Sequence, residues 1–229
     1  LGLSSPDAPF KGMTSPHITA PLTSLSFDNR LMESLLFQWK RRFVKPAVDN
    51  LTTRRLFRSL EMAYQATSTP VKNQSSLSDF GVAISLWVSA FEVLAHPARE
   101  DVRLRHVLDL IGQFKWEDPR LDHRRFVVSL DKKRKLHVNL APKLYRALHN
   151  ARNAFLHGNR VTDRTLMPFG SKAPTLLQLA PVLYRTALMA SIQPQENARD
   201  ADYGERIARA WQRLEYATCL LRTKGGSNH

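Results

Sequence analysis

Between Leu144 and Gly158 the chain reads Leu-Tyr-Arg-Ala-Leu-His-Asn-Ala-Arg-Asn-Ala-Phe-Leu-His-Gly. Helical residues advance by about 100° each. His149, Asn153 and His157, spaced by four, therefore fall on one polar stripe. Arg152 is one step away and reaches the same side with its long side chain, and Asn150 flanks it. Leu144, Leu148 and Phe155 occupy an apolar side. His157 directly precedes Gly158, so it belongs to the last turn, where the backbone can splay and turn the imidazole outward.

Arg, Asn and His together suit one reaction in particular, cleavage of RNA by its own 2′-hydroxyl. That reaction needs a base for the 2′-OH proton, a cation for the charge building on phosphorus, an acid for the leaving 5′-oxygen, and a group that aligns the phosphate. Histidine titrates near neutral pH and suits proton transfer. Arginine presents a planar fork to phosphate oxygens, and asparagine can orient a phosphate or a histidine. A plainer explanation stands beside this one, because Arg and His near a helix C-terminus are favourable through the macrodipole alone. No metal site is expected. His149 and His157 lie about 12 Å apart along a helix axis, too far to share an ion, and a single cysteine, Cys219, excludes Cys-based zinc sites and internal disulfides.

The composition frames these residues. The chain has 229 residues, 34 Lys plus Arg against 20 Asp plus Glu, and a net charge of +14. Its isoelectric point near 10.4 points to an anionic partner, most simply nucleic acid. The densest basic stretch holds Arg120, Arg124, Arg125, Lys132, Lys133, Arg134 and Lys135 against Asp122 and Asp131. It is either a solvated loop or a phosphate-binding surface. A hydrophobic content of 43% and a charged content of 24% are those of a folded chain, not a disordered one. The longest apolar run, Phe80 to Leu94, contains Glu92 and is too short to span a bilayer. The N-terminal segment lacks a basic region followed by an apolar core, so no signal peptide is expected. The lone cysteine agrees with a reducing compartment, and the protein is expected in the cytoplasm.

The elements that must position the polar stripe read as helices. Residues 1–25, rich in Ser, Pro and Thr, form an irregular arm. Leu31 to Val44 and Thr52 to about Ala66 are two helices, the second with Leu56, Leu60 and Ala63 on one stripe. Together, residues 26–75 are an N-terminal helical extension. Leu77 to His96 is apolar nearly all round and is expected to be the central buried helix. Asp101 to Phe114 is amphipathic, residues 115–139 are charged and irregular with a short strand possible at Phe126–Val128, and Pro142 sits in the first turn of the motif helix. Pro174 to Ile192 and Tyr203 to Leu221 complete the helices, and 223–229 is a tail. The class is all-α, a helical bundle. Trp39, Trp87, Trp116 and Trp211 are expected mainly in packing, with Trp116 the one suited to base stacking. Cys219 is expected to be buried and inert.

Arg152 to Gly158 resembles the R-x4-6-H motif of the HEPN superfamily, with four residues between Arg and His and the form RN…HG. Leu86 to Leu94 is similar to the acid-bearing core helix of the Apea-like HEPN group, and the resemblance spans about residues 76–222. It implies a HEPN-like antiparallel helical bundle, a homodimer with facing motif helices, and a metal-independent endoribonuclease without cofactor. A defence or toxin–antitoxin setting, with a protein partner or antitoxin, is also implied. Arg152 and His157 become the catalytic pair, Asn153 the supporting polar residue, and Glu92 the acid that pairs with or orients the arginine. His149 is a secondary RNA-contacting candidate, and the basic residues Arg124, Arg125 and Lys132 to Lys135 a guide for RNA. The alternative is a non-catalytic HEPN module that binds RNA, a nucleotide or a protein.

Overall fold

The described residues fold as an all-α arrangement with one small two-stranded hairpin. The computed structural model describes residues 29–44, 51–69, 77–97, 101–114, 116, 119–123, 126–131, 133–170 and 174–192. The arm 1–25, the 203–221 helix with Trp211 and Cys219, the tail, and Arg124, Arg125 and Lys132 lie outside the described residues.

In chain order the elements are α1 (Asn29–Trp39), a π-helical turn (Lys40–Val44), α2 (Leu51–Ser68), α3 (Leu77–Leu94), α4 (Leu104–Gly112), α5 (Pro119–Asp122), β1 (Phe126–Ser129), β2 (Lys135–Val138), α6 (Leu140–Leu156), α7 (Asp163–Leu166) and α8 (Leu176–Ile192). The charged stretch expected to be irregular thus contains a two-stranded antiparallel hairpin, with Phe126 opposite Val138 and Ser129 opposite Lys135. Val128 and Val138 turn inward while Val127, Ser129, Lys135 and His137 face out. That alternation is the period-two pattern of a half-buried ribbon.

The centre is α3. Ala83, Ile84, Trp87, Val88, Ala90 and Phe91 are all buried on one half of the helix, while Val82 is exposed on the other, so the apolar surface expected nearly all round is covered on one side. α2 lies along it with a stripe of small residues: Ser59, Ala63 and Ala66 are buried there beside Leu56. The segment expected as an extension therefore contributes α2 to the same core cluster as α3, α6 and α8. A buried polar knot ties three helices together. Ser59 Oγ donates to Ala90 O at 2.7 Å and lies 2.6 Å from Tyr184 Oη. A serine hydroxyl has one proton, so Tyr184 is the donor to Ser59. Tyr184 also packs on Trp87 at 5.6 Å and edge-on to Phe91 at 5.4 Å.

α6 runs antiparallel to α3. Tyr145, early in α6, packs on Phe91, late in α3, while Phe155, late in α6, sits over Gly81, early in α3. A Cβ at Gly81 would come within 2.9 Å of Phe155 Cδ1, so glycine lets the two helices close at this end. Leu140, Ala141, Leu144, Tyr145, Leu148 and Ala151 bury the inner face of α6. Gly158 closes the helix at φ +65°, in the left-handed region. Pro142 stands in the first turn, where its missing N–H has no helical partner to lose. Among the described residues no helix is long and apolar enough to cross a membrane.

Candidate active site on the last turns of α6

Arg152 and Asn153 lie in the final turns of α6, and His157 is its C-cap at φ −96°, ψ 9°. The caps and the glycine place His157 outside the regular helix with an exposed side chain, as the sequence suggests. Arg152 is half-buried. Its Nη1 donates to Asn153 Oδ1 at 3.2 Å, and its Nε is buried without a partner among the described residues.

Those bonds fix a third group. Arginine can only donate, so Oδ1 is the atom of Asn153 that faces Arg152, and the amide nitrogen faces the other way. Asn153 Nδ2 lies 3.3 Å from His149 Nδ1. An amide nitrogen also only donates, so His149 Nδ1 carries the lone pair and the ring proton sits on Nε2. Arg152, Asn153 and His149 form a relay that holds one tautomer of a neutral imidazole. The electrostatics agree. Burial, then the guanidinium groups of Arg146 and Arg152, push the His149 pKa from 6.5 down to about 4. His149 is therefore a hydrogen-bond donor through Nε2 at neutral pH and not a cation.

Glu92, on α3, comes to this cluster from the facing helix. Burial raises its pKa, and the nearby Arg152 guanidinium partly offsets the rise. Arg152 acts on Glu92 through space while its own bond goes to Asn153. The expected link between the acid and the motif arginine is thus electrostatic, without a direct ion pair among the described residues. Tyr145 is the member that sequence reasoning missed. It is fully buried, its Oη has no hydrogen-bond partner among the described residues, and burial, then the Glu92 carboxylate, raise its pKa. A signal for it exists: Tyr145 stands four residues before His149 and seven before Arg152, at the head of the same stripe. Its ring lies 6.2 Å from that of His149.

Beside this cluster a groove of about 660 Å³ opens between α3 and the end of α6. Ser78, Gly81, Ser85 and Ser89 line one side, Phe155 and Leu156 the other. Val82 and Leu156 are 53% and 58% exposed at its rim.

The basic stretch is distributed differently from the motif. Lys133, Arg134 and Lys135 are exposed around the hairpin turn. Asp131 there accepts from the Lys133 and Arg134 backbone N–H groups at 2.9 and 2.8 Å and pairs with Arg134 Nε at 2.6 Å, so Arg134 is held by its own turn. Those bonds keep the Asp131 carboxyl below its usual pKa. The chain joins the hairpin to the N-terminal end of α6, whereas Arg152 is 13 residues, about 20 Å of helix rise, beyond Asn139. Trp116, expected as a stacking platform, is half-buried and packs edge-on against Phe114 at 4.8 Å. His96 places its Nδ1 2.6 Å from Pro97 O and its carbonyl under Arg55 Nη1, a helix-end arrangement. Among the described residues no three His, Cys, Asp or Glu side chains converge as a metal-binding group. No family model matches the sequence, and the curated proteins and solved structures yield no match either.

Proposed function

We propose that this protein is a HEPN-type endoribonuclease that cleaves RNA without a metal, through a composite Arg/His site at a homodimer interface. The observation that carries the proposal is the gathering of His149, Arg152, Asn153 and His157 on the last turns of α6, with Glu92 facing them from α3. The net charge of +14 supplies the long-range attraction for RNA.

Exposed His157 exchanges protons with the substrate. Arg152 stabilises charge on the phosphate, held by Asn153, and Glu92 biases its position. The 2′-oxygen attacks phosphorus as its proton passes to a base, and the bond from phosphorus to the 5′-oxygen breaks as that oxygen takes a proton. The products are a 2′,3′-cyclic phosphate and a free 5′-hydroxyl. One motif supplies one exposed imidazole, His157, so a facing second motif completes the acid–base pair. The exposed Val82 and Leu156 beside the motif suit that contact. A defence or toxin–antitoxin role, with an antitoxin partner, and a cytoplasmic location belong to the same proposal.

The test is incubation of the full chain with labelled single-stranded RNA in EDTA, beside Arg152→Ala and His157→Ala. Wild type should cleave, and each variant should lose roughly a hundredfold or more. Undiminished cleavage in both variants refutes the assignment. A second reading, a non-catalytic HEPN module binding RNA, a nucleotide or a protein, draws on the buried Nε and internal bond of Arg152. It expects binding that survives His157→Ala and no cleavage.

A further inference from the structure

The far side of α2 carries a second concentration of chemistry. Where α1 gives way to the π-helical turn, the sequence Phe-Gln-Trp-Lys-Arg-Arg-Phe sets three consecutive cations between Trp39 and Phe43. π-turns of this kind recur at functional sites because they redirect side chains that a regular helix would hold elsewhere. A cleft of about 840 Å³ opens here between the turn and α2. Trp39, Phe43 and Phe57 supply its aromatic lining, and Arg42, Arg54 and Arg58 its cations. Glu61 is the only carboxylate among the described residues that line it.

The rings form a staggered series. Trp39 and Phe43 lie 5.7 Å apart at 41°, and Phe43 and Phe57 5.3 Å apart at 71°. Arg42 sits 5.2 Å over Phe43, a cation–π contact. Trp39 is 46% and Phe43 53% exposed. The tryptophan expected in packing therefore presents its ring at the surface. Exposed indole and phenyl faces edged by guanidinium groups match a ligand with flat aromatic faces and regularly spaced negative charges. A single-stranded RNA segment has both. A duplex keeps its base faces stacked internally, so it could use only the charges.

We propose that this cleft binds a stretch of single-stranded RNA, with bases on Trp39 and Phe43 and phosphates at Arg54 and Arg58. The inference rests on RNA as the ligand of the proposed function, and is independent of whether the chain cleaves it. On this basis α1 and α2 are a substrate-holding surface apart from the α6 cluster.

The experiment uses the full chain carrying His157→Ala, so that RNA persists, and a fluorescein-labelled twelve-nucleotide oligouridylate read by anisotropy. Trp39→Ala should weaken binding about tenfold, and Trp39→Phe should restore most of it. Arg58→Ala should weaken binding and lower the slope of log affinity against log salt by about 0.7, the share of one single-strand phosphate contact. Arg105→Ala, on α4 outside the cleft, removes the same charge and should leave the affinity within about twofold. Circular dichroism confirms the fold of each variant. Parental affinity in Trp39→Ala overturns the proposal even if Arg58→Ala weakens binding, because surface charge then accounts for the attraction. Failure of the parent to bind the oligonucleotide also overturns it. Wild-type protein that binds through the cleft but does not cleave refutes only the endoribonuclease reading. Wild-type protein that cleaves while Trp39→Ala binds normally refutes only the cleft.

Discussion

The neutral, tautomer-locked His149 makes a measurable claim about pH. The perturbation is His149→Gln, which keeps a polar side chain and removes the titration. In the folded protein the ring titrates near 4; in the unfolded chain it titrates near 6.5. Below pH 6.5 the unfolded chain therefore binds a proton that the fold refuses, and stability is lost as pH falls from about 6.5 toward 4. A full shift of this size corresponds to about 3 kcal/mol, and because the ring is only half-buried, screening reduces it to about 1–2 kcal/mol. Glu92 works in the opposite sense, since its raised pKa stabilises the fold as the carboxyl protonates. Subtracting the variant's curve from the wild-type curve cancels that contribution. Urea unfolding from pH 8 to 4.5 should show a constant gap above pH 7 that shrinks by about 1–2 kcal/mol toward pH 4.5. Nitrogen chemical shifts of His149 should show a bare Nδ1 and a protonated Nε2, and Asn153→Ala should release that preference. Parallel unfolding curves, or a His149 midpoint at or above its ordinary value, refute the relay.

Three further outcomes are expected. Tyr145→Phe removes a buried hydroxyl that has no partner among the described residues, so it should leave stability unchanged or raise it by up to about 1 kcal/mol; a loss larger than that in urea unfolding means the hydroxyl is satisfied. Gly81→Ala gains about 1 kcal/mol of helix propensity but drives a methyl into Phe155, for a net loss of about 1 kcal/mol that Phe155→Ala in the same chain should suppress. If the two substitutions prove additive, the helices do not meet there. Leu156→Glu, at the rim of the groove, should shift a dimer toward monomer in light scattering; a wild type that is monomeric at every concentration removes the composite site.

Much of this was visible in the residues. The dense apolar pattern of Leu77 to His96 identifies the central helix, because Ile84, Val88 and Phe91, spaced i, i+4, i+7, share one broad apolar face that only a core can cover. The four-residue spacing of His149 and Asn153 foretells their contact. The hairpin was half hidden. Phe126–Val128 reads as a strand, but Lys135-Leu136-His137-Val138 alternates over only four residues inside a basic run, too short to separate from a loop. Burial of Tyr145 and exposure of Trp39 are tertiary facts: both are aromatic residues in helical segments, and only the neighbours decide which side is covered. The tautomer of His149 likewise depends on a bond to Asn153 that composition cannot specify.

The bond between Ser59 and Tyr184 joins residues 125 positions apart. During synthesis α2 and α3 emerge first and can pair as neighbours in the chain, but Trp87 and Phe91 stay uncovered on one side until α8 arrives. Contacts that span so much chain form slowly. A ribosome paused before Leu176 would hold an intermediate with an open apolar face, the kind of species that chaperones recognise and that aggregates when unattended. The last described helix therefore works as a clasp, covering Trp87 and Phe91 and joining the end of the described chain to α2.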